Sequence, residues 1–175
     1  MNARLKEGLA EMADVIVESG MRFIAADTFH IEKSAAYMGL GSGIKSVEFV
    51  RRKNETLLFA EAKTTFPNPD KSEERFDAAS GDIADKFVHS LNLYASIALG
   101  LRPDDISATD NLSDKNAAIT LVLVIREHKP EWCEQVKCKL TLLLNRCAYF
   151  RKIWRPKVYV LNYDDAVKRG IAEAN

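Results

Sequence analysis

From Ala118 to Arg126 the chain runs Ala-Ile-Thr-Leu-Val-Leu-Val-Ile-Arg, with one threonine as the sole polar break before the arginine. A strand with one wet face alternates polar and apolar residues. This run does not, so it predicts a strand inside a sheet that is covered on both faces. The flanking patterns supply the cover. Between about Asp82 and Leu99, Ile83, Phe87, Leu91, Tyr94, Ala95 and Ala98 form one helical stripe, which Gly100 ends. Pro130 and Glu131 open a second helix, to about Ala148. Val158-Tyr159-Val160-Leu161 reads as a last strand and Asp164–Ala174 as a short C-terminal helix, while Leu101–Asn116 reads as a loop. Near the other end, Leu5, Leu9, Met12, Ala13 and Ile16 predict a helix over residues 3–19 that Gly20 stops. Met21–Ala26 fits either a strand or more helix, and Thr28–Tyr37 either a strand or a short helix. Strands separated by helices predict an α/β fold, a mixed sheet with helices on both faces, in a single domain over 1–175.

The 175 residues suffice for one sizeable core. Lysine plus arginine and aspartate plus glutamate both count 25, a zero formal charge that excludes a general nucleic-acid coat protein but not an enzyme with a local basic surface. No apolar run is long enough to span a membrane. Arg4, Lys6, Glu7, Glu11, Asp14 and Glu18 exclude a secretory signal from the first twenty residues. Three cysteines, Cys133, Cys138 and Cys147, fit a reduced, cytoplasmic chain. On one helix the first two diverge by about 140° and the third lies about 21 Å along the axis from Cys133, so they cannot share a zinc ion. They are expected as buried, small apolar groups.

Chemistry concentrates in a second pair of strands. Val47-Glu48-Phe49-Val50 and Leu57-Leu58-Phe59-Ala60-Glu61-Ala62-Lys63 flank a tight reversal at Lys53-Asn54-Glu55-Thr56. Asparagine tolerates positive φ, so the pattern predicts a hairpin. A loop centred between Asn54 and Glu55 pairs Glu48 with Glu61, on one face with Cβ atoms roughly 5 Å apart. Lys63, two positions beyond Glu61, shares that face. Facing carboxylates destabilise a sheet, and a hard divalent cation that takes carboxylate oxygens resolves the conflict. Neither Glu61 nor Lys63 is expected as a major core residue.

At these residues the chain resembles the PD-(D/E)xK nuclease superfamily, over roughly residues 1–125. In that family one hairpin strand carries an acid and the next carries acid-x-lysine, between helices. Glu48 stands for the first acid, in Val47-Glu48 where the family has Pro-Asp. Glu61 and Lys63 stand for the acid and the lysine. The resemblance implies a restriction-endonuclease-like fold and a magnesium- or manganese-dependent nuclease. Glu48 and Glu61 would hold the metal, with the Ala62 carbonyl as a further ligand and Lys63 orienting water. It also nominates a third acid. Glu11 and Glu18 are candidates from the preceding helix, and Glu32, nearer in the chain, is preferred. Asp82, Lys86 and His89, which share an arc of the following helix, are accessory candidates.

Gly39–Gly43 reads as a connection, since Gly43-Ile44-Lys45-Ser46 has the wrong spacing for a phosphate loop. Thr64–Asp70, with two prolines, cannot continue a central strand. Lys71–Ser80 is expected as a mobile loop beside the site. No serine or cysteine nucleophile has an evident histidine partner. Between Gln135 and Tyr163 there is no acid but seven lysines and arginines, interleaved with Tyr149, Phe150, Trp154 and Tyr159. Arg151, Lys152 and Arg155, with Arg51 and Arg52 by the hairpin, are therefore candidate nucleic-acid contacts. The aromatics fit a core equally well. The expectation is a metal-dependent nuclease acting on nucleic acid, DNA by preference, without a membrane partner and with homo-oligomerisation left open. The alternative is a nuclease-fold binding or regulatory module without chemistry.

Overall fold

The computed structural model describes residues 15–107, 109 and 118–174. Its centre is a five-stranded mixed sheet in the order β3 (Thr28–Phe29), β4 (Phe49–Lys53), β5 (Thr56–Lys63), β6 (Ala118–Ile125), β7 (Lys157–Asn162). The first three strands are antiparallel neighbours; β5, β6 and β7 run parallel. The unbroken apolar run is the second-last strand of this order, and its side chains divide by parity. Leu121, Leu123 and Ile125 join one core cluster, whereas Val122 and Val124 join another on the opposite face.

Long helices cover the first face. Helix α2 (Glu73–Ala98) buries Ile83, Phe87, Leu91 and Tyr94, and α3 (Pro130–Arg146) buries Cys133, Val136, Leu140 and Leu144. A short α1 (Ala35–Met38) precedes β4. The expected mobile loop at Lys71–Ser80 is instead the start of α2. The Ser72 side chain caps it by accepting from the Arg75 amide at 3.3 Å, and Glu73 and Glu74 favour the positive helix end. That polar stretch is a helix N-terminus.

The second face departs further from expectation. Among the described residues it carries one short helix, α4 (Tyr163–Lys168), beside a three-stranded sheet of β1 (Val15–Glu18), β2 (Met21–Ile24) and β8 (Ala172–Glu173). Residues 15–18, expected to end a helix, form a strand; the rest of that predicted helix lies outside the described residues. The reason is the Ser19-Gly20 turn, with φ of 52° and 71°. Positive φ at both turn residues gives the strand twist a tight antiparallel hairpin needs, and β-branched Val15, Ile16 and Val17 suit a strand. The predicted C-terminal helix stops at Lys168, and Gly170, at φ 62°, turns the chain so that β8 pairs with β2. Ile16, Met21, Phe23 and Ile171 from these segments pack on Phe49, Leu58, Ala60 and Val122. The cysteines are all free, but only Cys133 is buried; Cys138 is exposed, against the sequence expectation. Among the described residues no helix is long and apolar enough to cross a membrane.

Candidate functional site

The hairpin forms in the register read from the sequence. Phe49 pairs with Ala60, Val50 with Phe59 and Lys53 with Thr56 across a two-residue turn, in which Asn54 sits at φ 53°. Glu48 lies one residue ahead of β4, and its amide donates to the Ala60 carbonyl at 3.1 Å. Its carboxyl feels the charge of Glu61 and shares a hydrogen bond with Glu32, which places it on the side of Glu61. Glu48, Glu61 and Lys63 therefore share one face, beneath α2.

Glu61 is a buried residue, contrary to expectation, with a side chain 0% exposed. A buried carboxylate needs partners, and two ammonium groups serve it. Lys63 Nζ lies 2.8 Å and Lys86 Nζ 2.7 Å from the same oxygen, Oε1. The other oxygen, Oε2, is buried with no hydrogen-bond partner. Burial pulls the Lys86 pKa down, but the charge and hydrogen bond of Glu61, with Glu48 and Glu32 beyond it, outweigh that and hold it above the ordinary lysine value.

Glu48 behaves differently. Burial, a hydrogen bond shared with Glu32, and the charges of Glu61, Glu32 and Glu18 push its pKa up to about 8. Near neutral pH the Glu48 carboxyl thus favours its protonated form, hydrogen-bonded to Glu32. Glu32 lies in the 3₁₀ turn Ile31–Lys33, and Glu18, on β1, is 3.6 Å from Lys33 Nζ. The structure thus brings Glu32, the preferred third acid, against Glu48, and holds Glu18 near enough to act through charge. Glu11 lies outside the described residues.

Of the arc on α2, only Lys86 reaches the carboxylates. Asp82 pairs with Lys45 Nζ at 2.7 Å, and His89 Nδ1 accepts from the Lys45 amide at 3.1 Å, so that nitrogen is already engaged. Asp85 takes Lys45 Nζ as well, at 3.0 Å, and Ser90 Oγ accepts from the Val47 amide at 2.8 Å. These bonds fix residues 45–47 to the helix, directly ahead of Glu48. Asp82 and His89 position the hairpin rather than line the site. The Ala62 carbonyl, proposed as a ligand, accepts from Ser19 Oγ at 3.1 Å on the second face.

The candidate nucleic-acid residues are not gathered around the acids. Glu61 is level with Leu123, whereas Arg51 and Arg52 are level with Leu58 and Leu57, towards the hairpin turn. Arg51 is committed to the backbone, donating to the carbonyls of Ala26 at 3.2 Å and Gly170 at 3.0 Å. Arg52 Nε donates to the Asn54 carbonyl at 3.3 Å. Arg151, Lys152 and Arg155 are exposed, in or after a π-helical turn (Phe150–Trp154) that precedes β7. Lys157, which opens β7, is level with Thr120, again away from the acid end. Phe150 of that turn is buried in the core and Trp154 packs against it, so these aromatics are structural.

Does the acid site suit a divalent cation? Its donors are hard carboxylate oxygens, and one buried lone-pair-bearing atom, Glu61 Oε2, lacks a partner. Those features fit. Among the described residues, however, no group of three or more His, Cys, Asp or Glu side chains is drawn together tightly enough to cage an ion. A cation would be held by Glu48 and Glu61 with water or substrate oxygens.

The Glu48 carboxyl implies a pH signature in metal-free protein. Its folded pKa lies above the ordinary value of 4.5, so the folded state binds the proton more tightly than the unfolded chain. Its contribution to stability is full below about 4.5 and is lost as pH rises towards about 8. His30 and His128, whose pKa values burial lowers, act in the opposite sense in part of that window. Melting curves of wild type and Glu48→Gln in EDTA between pH 5 and 9 should therefore diverge, with the variant gaining relative stability as pH rises. Parallel curves would show that Glu48 titrates normally.

Comparison of the chain with protein-family models, with curated proteins and with solved structures yields no match.

Proposed function

We propose that this chain is a metal-dependent phosphodiesterase acting on nucleic acid, with a restriction-endonuclease-like fold of the PD-(D/E)xK type. The observation that carries the reading is that Glu48 lies near enough to Glu61 to feel its charge, with Lys63 and Lys86 on one oxygen of Glu61 and the other oxygen unpartnered. Magnesium or manganese bound by Glu48 and Glu61 would polarise a phosphoryl oxygen and acidify a water. Glu48 must lose its proton to become a ligand, and Glu32 is the hydrogen-bond partner beside it. Lys63, with a side chain 36% exposed, reaches the site mouth and stabilises the charge that builds on the phosphoryl group. Lys86, at 15% exposure, brings a counter-charge to Glu61 from α2. Water adds to phosphorus as the bond to one ester oxygen breaks, and that oxygen leaves with a proton.

A second reading, a binding or regulatory module with this fold but no cleavage, draws on two observations. Two lysines and the proton on Glu48 already balance the acids, and the exposed arginines lie towards the other end of the sheet. Titration calorimetry with manganese separates the two. The enzyme reading expects saturable binding that Glu61→Gln abolishes, and magnesium- or manganese-dependent cleavage within a panel of duplex, single-stranded and branched DNA and RNA. Heat that the variant leaves unchanged, with an uncut panel, would leave only the module.

A further inference from the structure

On the face of the five-stranded sheet turned away from α2, β4 to β7 open onto a cavity of about 350 Å³. Strand register explains its floor. Lys53 pairs with Thr56, Leu58 and Lys157 both pair with Thr120, and Val122 pairs with Tyr159; such partners share a face. The chain after α4 adds Arg169 and Ile171 as a wall. Among the described residues the lining thus includes three cations, Lys53, Lys157 and Arg169, and no carboxylate. In a chain of zero formal charge this is a local excess.

The excess is built rather than incidental. Lys53 Nζ donates to the Arg169 carbonyl. The Arg169 guanidinium lies over the Tyr159 ring, 5.3 Å from its centroid. A Cβ on Gly170 would stand 3.3 Å from Lys53 Nζ, so glycine makes room for that lysine. Arg51 holds the same turn through the Gly170 carbonyl, at 3.0 Å. Together these contacts hold two cations at the rim of a pocket whose floor is apolar at Leu58 and Tyr159 and hydroxylated at Thr56 and Thr120.

Three like charges gathered with no counter-acid among the described lining residues favour an anionic occupant, and lysine and arginine give phosphate strong charge-assisted hydrogen bonds. The volume falls in the roughly 300–1,000 Å³ range of small-molecule sites, and the apolar floor suits a flat ring. We propose that this cavity binds a nucleoside monophosphate, with the phosphate at Lys53, Lys157 and Arg169 and the base against Leu58 and Tyr159. The site lies across the sheet from Glu61 and is independent of the nuclease reading.

Calorimetry of the full chain at low salt tests it, with AMP, GMP, CMP and UMP as ligands and adenosine and inorganic phosphate as controls. At least one monophosphate should bind saturably, more tightly than either control. Lys157→Ala, a change at an exposed side chain, should weaken that binding at least tenfold, and Glu61→Gln should leave it unchanged. Four monophosphates that fail to saturate at millimolar concentration would overturn the proposal. So would Lys157→Ala binding equal to wild type, or phosphate or adenosine binding as tightly as the nucleotides.

Discussion

Lys63→Met should lower metal-dependent phosphodiester cleavage by about 10²–10³-fold, the loss expected when one preorganised charge is removed from a transition state. Two features of the geometry set that expectation. Lys63 ends β5 on the face of Glu61, and at 36% side-chain exposure it is the more accessible of the two lysines on that carboxylate. Because Lys86 stays on Glu61 Oε1, the carboxylate remains paired and the fold should be retained, with a smaller stability change than Lys86→Met causes. Single-turnover cleavage at saturating manganese isolates the chemical step, and manganese titration shows whether binding survives. A variant that binds manganese normally and cuts at the wild-type rate would remove Lys63 from the reaction.

Lys86→Met should act in the reverse manner, on stability first. Lys86 comes from the middle of α2 to a carboxylate that is itself fully buried. Removing one partner of a buried ion pair leaves an undercompensated charge, a change of roughly 3–5 kcal/mol when nothing else is near. Since Lys63 remains, about 2–3 kcal/mol is expected, larger than for Lys63→Met. Urea unfolding without divalent ions measures both, and adding Glu61→Gln to Lys86→Met should recover most of the loss. If Lys63→Met proved the more damaging of the two, the assignment of roles would be reversed. Glu61→Ala is a poor probe of catalysis for the same reason, because it empties a buried position.

What could be read in advance followed from local rules with little competition. The hairpin register was legible because a two-residue turn at Asn54-Glu55 leaves a single pairing that keeps Val50 and Phe59 together in the core. The interior strand was legible because both parities of Ala118–Ile125 are apolar. The first hairpin was not, although Ser19-Gly20 between β-branched and aromatic runs is a turn signal, because Ile16 also continues the helical spacing of Leu5, Leu9 and Met12. The start of α2 was hidden by its own solubility. Its first turns are charged, and Ser72 followed by two glutamates was the cue that mattered. β8 has two residues and exists only because β2 offers an edge. At the site, the arc of Asp82, Lys86 and His89 was visible as an arc. That Lys86 meets a carboxylate while Asp82 meets the Lys45 ammonium and His89 the Lys45 amide depends on how α2 lies across the sheet. The burial of Glu61 has the same origin.

Residues 45–47 are bonded to α2 through His89, Asp82, Asp85 and Ser90, and the same helix delivers Lys86 to Glu61. One rigid rod therefore carries both the support of the first acid and the counter-charge of the second. Tilting that rod would shift both together, so the spacing between the two carboxylates is governed from a single lever, outside the strands on which they stand.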